Sequence, residues 1–148
     1  MPYTIVLVEN DDALRFITRQ ALLILDAEVI ECVHAEQALQ QLQARPVDLL
    51  LVDAALAGRL DGLQLCRRVW HGWPEVPVIL TSRHALIGSA VLPTHCRFLA
   101  KPWSLDQLLT AASACLHGDC GHWLDGIDRT APPPAATLSR HDAEEWLS

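Results

Sequence analysis

No apolar stretch of this sequence approaches the roughly 20 residues that a membrane span requires. No basic segment precedes an apolar one at the start, so no signal peptide is expected. Positive charge is also scarce. Eleven Lys and Arg face eighteen Asp and Glu, a formal net charge of −7, which argues against a nucleic-acid surface, because phosphate binding needs clustered cations. The cysteines (Cys32, Cys66, Cys96, Cys115 and Cys120) are five in number. Three lie inside apolar runs, where free thiols act as small core residues, and a reducing, cytoplasmic setting is expected. Apolar residues are plentiful. At 51% of 148 residues, they suffice for one ordinary core without disulfide or metal staples.

Apolar runs alternate with helical patterns. Tyr3–Val8 reads as a doubly buried strand, and 28–32, 47–52, 76–80 and 97–100 read as four more. Between them, 11–25 is a helix with Leu14, Ile17, Ala21 and Leu25 on one face and Asp11 or Asp12 as its cap. A second helix covers Ala35–Ala44, with Ala38, Leu39 and Leu42 inward and Pro46 as its stop. A third starts at Asp61-Gly62, lays Leu63, Cys66 and Val69 inward, and ends at Gly72 and Pro74. A weaker helix falls at 84–92. The last begins at the capping box Ser104-Leu105-Asp106-Gln107 and turns Leu105, Leu108, Leu109, Ala112 and Leu116 inward. Five strand–helix pairs imply parallel strands with right-handed crossovers. The expected fold is α/β: a flavodoxin-like, (βα)5 doubly wound parallel sheet in the order 2-1-3-4-5.

In that order chemistry belongs at the carboxyl ends of the strands. Asp53 ends the apolar third strand. The first strand runs into Glu9-Asn10-Asp11-Asp12, the fourth into Thr81-Ser82, and the fifth into Lys101-Pro102. Acids, an amide and an amine therefore converge on one crevice, which suits a phosphoryl group and a divalent cation.

Residues 8–11 with Arg15, Asp53, Asp61-Gly62, Thr81-Ser82 and the run from Phe98 to Pro102 together resemble a response-regulator receiver domain of two-component signalling, over about residues 3–117. The resemblance implies that Asp53 is the phosphoacceptor, taking a phosphoryl group from a histidine kinase, a phosphotransfer protein or a small phosphodonor. It implies Mg2+ held by Asp53, the Ala55 backbone carbonyl and Asn10, with Glu9 acting through water. Thr81 and Lys101 would contact phosphoryl oxygens, and Phe98 would be the switch aromatic. The fourth helix, fifth strand and last helix would form the partner or homodimer face. A cis peptide before Pro102 is common in such domains. The implied protein is a switch rather than an enzyme, with a downstream protein target and no membrane or nucleic-acid partner.

Some positions depart from the pattern. Asn10 stands where receivers usually carry Asp, so the cation seat loses a charge; Asp11 is expected to point elsewhere. A degenerate receiver, acting as a phosphorylation-independent interaction module, is the alternative that Asn10 favours. The loop from Asp53 to Asp61 is one residue longer than usual, an excess that Gly58 can absorb. Ala55 and Arg83 match positions that tune dephosphorylation. Ala55 also removes the second Asp that a haloacid-dehalogenase-type phosphatase needs. Two Cys-x-His pairs at 115–122 have no known zinc spacing. Trp103 is read as part of a partner surface.

The domain is expected to span 1–118. Residues 119–148 form a C-terminal tail with a Pro-rich linker at 131–136 and a short helix from Ser139. That tail is too small for an independent output domain, so a stand-alone switch is expected.

Overall fold

The computed structural model describes residues 2–83 and 96–118. The expected helix at 84–92, the tail from 119 and its Cys-x-His partners lie outside the described residues. So does most of the fourth-helix side of the expected partner face.

Five parallel strands form one sheet in the order β2-β1-β3-β4-β5, as expected. They are β1 (Tyr3–Val8), β2 (Ala27–Cys32), β3 (Leu49–Asp53), β4 (Val78–Ser82) and β5 (Cys96–Ala100). Every residue of β3 and β4 is buried, which is what near-continuous apolar runs in a doubly covered sheet require. β4 starts two residues later than its apolar run, because Pro77 has no N–H for the ladder and only its carbonyl is used, by the Leu50 N–H at 3.0 Å. β3 starts later too, since Asp48 turns its carboxylate back to the Thr4 N–H at 2.8 Å.

Helices α1 (Asp12–Leu22), α2 (Ala35–Ala44) and α3 (Gly62–Gly72) and the closing helix Leu105–Leu116 cover the faces. α2 and α3 bury Ala38, Leu42, Leu63, Cys66 and Val69 against Val6, Leu50, Val52 and Leu80, with Trp70 and Trp73 at the margin. α1 and the closing helix bury Ala21, Leu22, Leu108, Ala111 and Ala112 against Ile5, Leu7, Leu51, Ile79 and Leu99. Burying each such Leu or Ile contributes about 1.5–3 kcal/mol.

Two inward assignments were wrong. Ile17 is 57% exposed and Leu105 is 51% exposed. On α1 the buried stripe runs through Thr18, Ala21 and Leu22. Thr18 tolerates this because its hydroxyl donates to the Leu14 carbonyl at 2.7 Å. Leu105 is the first residue of its helix, before the helix has turned onto the sheet.

Cys32, Cys66 and Cys96 are buried free thiols. Burial pushes the Cys32 thiol up to about 11, so it is a core residue and not a nucleophile. Cys115 sits buried on the inner face of the closing helix.

The loop after Asp53 is shaped by two glycines. Gly58 takes φ +112°, the left-handed conformation that lets the longer loop turn. A Cβ on Gly62 would stand 2.0 Å from the Asp53 carbonyl oxygen and 2.6 Å from the Ala54 Cα. Neither is a side chain that can move aside. Asp61 and Gln64 form a reciprocal capping box there, so the start of α3 is clamped directly onto the end of β3. Gly62→Ala should therefore destabilise the fold by about 2–3 kcal/mol in urea unfolding. Gly72→Ala, where a Cβ meets nothing within 4 Å, should change it by about 0.5 kcal/mol or less.

Candidate functional site

Each strand end is tied to its neighbour just where its side chain is needed. The Glu9 N–H donates to the Cys32 carbonyl at 3.0 Å, the Ala54 N–H to the Thr81 carbonyl at 2.8 Å, and the Lys101 N–H to the Ser82 carbonyl at 2.8 Å. Asp53 itself pairs with Thr81 in the β3–β4 ladder. The backbone thus points three chemically active side chains over one edge of the sheet.

They meet. The Lys101 Nζ donates to Glu9 Oε1 at 3.0 Å and lies 3.3 Å from Asp53 Oδ1. Both carboxylates are nearly sealed, with Glu9 at 4% and Asp53 at 7% exposure. At an effective dielectric near 20, each pairing is on the order of 5 kcal/mol before desolvation, which offsets much of it. Backbone donors add to the ammonium: the Asp11 N–H reaches Glu9 Oε2 at 3.2 Å and the Ala55 N–H reaches Asp53 Oδ1 at 3.3 Å. The Lys101–Pro102 peptide is cis, as expected.

Two buried acids share one ammonium, and the balance stays negative. Burial raises the Glu9 pKa above the usual carboxylate value; the Lys101 hydrogen bond and the Asp11 N–H lower it, and the neighbouring Asp53 charge raises it again. With two carboxylates on a single ammonium, the pocket has room for further positive charge. Two carboxylates and the adjacent Asn10 amide are hard oxygen donors of the kind that Mg2+ takes, so the residues fit that ion. Among the described residues no group of three or more His, Cys, Asp and Glu is placed to hold a metal, which is consistent with an amide at position 10.

The nearby acids do not make up the missing charge. Asp11 Oδ1 caps α1 by accepting from the Leu14 N–H at 3.0 Å, so it points elsewhere, as expected. Asp12 Oδ1 is held 2.6 Å from the Arg15 guanidinium. Asn10, Ala55 and Arg83 are exposed. Thr81 is buried, and its hydroxyl faces the Val52 carbonyl at 3.4 Å. Phe98 is fully buried beside Leu80 in the β4–β5 ladder.

A small cavity between the strand ends is lined by Glu9, Asp53, Thr81, Thr18 and Trp103. Trp103 is half-buried, packs on the face carrying Ile5 and Leu7 and forms part of this cavity's wall. Thr18 was not expected here. Its only signal in the sequence was a polar residue falling one turn after Leu14, inside an otherwise apolar stripe.

The chain matches the model of the response regulator receiver domain over residues 5–113. It is 36% identical over 86 residues to the nitrogen assimilation regulatory protein NtrX of Azorhizobium caulinodans, covering 55% of this chain and 19% of that protein. It is 30% identical to the C4-dicarboxylate transport transcriptional regulatory protein DctD of Rhizobium meliloti, covering 74% of this chain and 24% of that one. The chain thus spans about a quarter or less of these relatives. Among solved structures, the signal receiver domain of an HD domain-containing protein from Pseudomonas fluorescens superposes with a TM-score of 0.72 at 30% identity, covering 80% of this chain and 98% of that one. The receiver domain of NtrX from Brucella abortus gives 0.68 at 29% identity, covering 77% and 98%.

The direction of the Glu9 shift fixes a pH dependence. With its folded pKa raised above 4.5, the native state holds the proton more tightly than the unfolded chain. Stability linked to Glu9 is therefore greatest below pH 4.5 and falls as pH rises through the raised value. In metal-free buffer, Glu9→Gln, which mimics the protonated side chain, should unfold at a higher temperature than the wild type at pH 7.5. The difference should shrink towards zero as the pH approaches 4.5. An advantage that persists at low pH would contradict this.

Proposed function

The chain belongs to the response-regulator receiver family, and from that premise we propose that it is a phosphoacceptor switch that is phosphorylated on Asp53. One observation carries the reading: Lys101 touches both Glu9 and Asp53, so nucleophile, acid and amine share one pocket. An Asp53 carboxylate oxygen attacks the phosphorus of a phosphohistidine or a small acyl phosphate. The bond from phosphorus to the donor's nitrogen or oxygen breaks, the donor departs with the electron pair, and an aspartyl phosphate remains. Little proton transfer is needed; charge neutralisation on the transferring oxygens is the main demand.

Lys101 meets that demand by exchanging its Asp53 contact for a phosphoryl oxygen while Glu9 keeps hold of it. Thr81 turns its hydroxyl from the Val52 carbonyl towards a second oxygen. Glu9, Asn10, Asp53 and the Ala55 carbonyl would hold Mg2+, which supplies charge on the remaining oxygen when bound. Phe98, one β-bridge from the residue before Thr81, then reads the hydroxyl's movement and biases the fifth-strand surface.

The partners in this reading are a histidine kinase or phosphotransfer protein and a downstream protein target. With a net charge of −7, the chain is suited to protein contacts more than to nucleic acid. The described residues contain no helix long and apolar enough to cross a membrane, and the proposed setting is cytoplasmic. The curated relatives hold this domain inside longer regulators. The competing reading, a phosphorylation-independent module, draws on the exposed, uncharged Asn10.

The test is to add acetyl phosphate and Mg2+ and follow the intact mass. The wild type should gain one phosphoryl group and Asp53→Asn should not. Asn10→Asp should tighten Mg2+ binding by roughly tenfold, since it restores one carboxylate–cation contact. A wild type with no mass gain in millimolar Mg2+, while Asn10→Asp gains it, would establish the interaction-module reading instead.

A further inference from the structure

Arg15 makes more directed contacts than any role assigned so far explains. One terminal nitrogen, Nη1, donates to the backbone carbonyl of Glu9 at 2.9 Å. The other, Nη2, holds Asp12 Oδ1 at 2.6 Å. Its Nε faces Glu31 Oε1 at 3.3 Å, and Arg19 Nε lies 3.5 Å from the other oxygen of the same carboxylate. The fork therefore spans the tip of β1, the first residue of α1 and the end of β2. Its side chain is only 16% exposed.

The Glu9 carbonyl belongs to the peptide plane that joins Glu9 to Asn10. That plane is rigid, so pinning its oxygen fixes the direction in which residue 10 leaves the strand. From the other side of the same turn, the Asp11 N–H is held by Glu9 Oε2 and the Asp11 carboxylate by the helix end. Arg15 also neutralises Asp12, the remaining acid of the loop. We propose that Arg15 is a positioning residue for the cation seat, which orients the Glu9–Asn10 peptide and keeps Asp12 from competing for the ion. An uncharged residue 10 makes this more important, because an amide oxygen must be aimed where a carboxylate would be drawn in by charge. The inference rests on the reading of residue 10 as a cation ligand.

Arg15→Met combined with Asp12→Asn removes the ion pair without changing the net charge, so Coulomb attraction for the metal is nearly constant. In the full chain, Mg2+ affinity by calorimetry should fall by roughly tenfold, the size typical of an outer-shell partner of a ligand. The apo protein should exchange its Asn10 and Asp11 amide hydrogens at least several-fold faster. Arg15→Lys should fall between, because an ammonium cannot span three partners. Glu31→Gln weakens the same surface network without touching the Glu9 carbonyl, and should leave affinity within about twofold. Affinity of the double variant within about twofold of wild type overturns the proposal. So does an equal loss in Glu31→Gln, which would mark a purely structural effect. A wild type that binds no Mg2+ sinks the metal reading itself; the role of Arg15 towards residue 10 then stands if exchange is faster in the double variant and falls if it is unchanged.

Discussion

The site depends on one ammonium group. Lys101 is the chain's only lysine; every other basic side chain of this kind is an arginine. It stands between two carboxylates that are otherwise sealed from water. Without it, two negative charges would face each other inside the sheet edge at a cost of several kcal/mol each. The fold answers this by linking residues 92 positions apart in sequence, which is why β5 has to sit in register with β4 and β3 with β1. A compact, strongly hydrated point charge on a flexible stem suits this place better than a planar fork. It can leave one oxygen for another without breaking a bidentate geometry.

Much of the architecture was legible because burial on both faces writes itself into a strand as a continuous apolar run. Val47–Val52 and the run at 76–80 were found that way, and their errors were errors of boundary. The true starts depend on Pro77 and on the Asp48 carboxylate, which act through the ladder and not through hydropathy. Ile17 and Leu105 were misplaced for a different reason. A helical stripe shows period but not phase: on α1 the choice between the Ile17 and Thr18 registers is settled by the Leu14 carbonyl, which satisfies a buried hydroxyl. No pattern of apolar residues reveals that.

The site was legible to the extent that it sits on strand ends. Glu9, Asp53, Thr81 and Lys101 could be aligned once the strand order was assumed, since a parallel sheet brings all its carboxyl ends to one edge. What the chain concealed was commitment. Glu9, Asn10, Asp11 and Asp12 read as a polar cluster, yet one acid faces Lys101, one caps a helix and one is neutralised by Arg15. Net charge at the seat is therefore lower than the acid-rich sequence suggests. The wall formed by Thr18 and Trp103 was hidden in the same way, being assembled from two segments far apart in the chain.

Because Lys101 is unique, labelling lysine with 15N at the side-chain nitrogen yields a single ammonium signal, and this is the most direct test of the shared-cation account. The signal should be visible through slow proton exchange in the wild type, should shift but survive in Glu9→Gln and in Asp53→Asn taken singly, and should be lost to solvent exchange when both are combined. A wild-type ammonium that exchanges as fast as free lysine, or one indifferent to both substitutions, would contradict it.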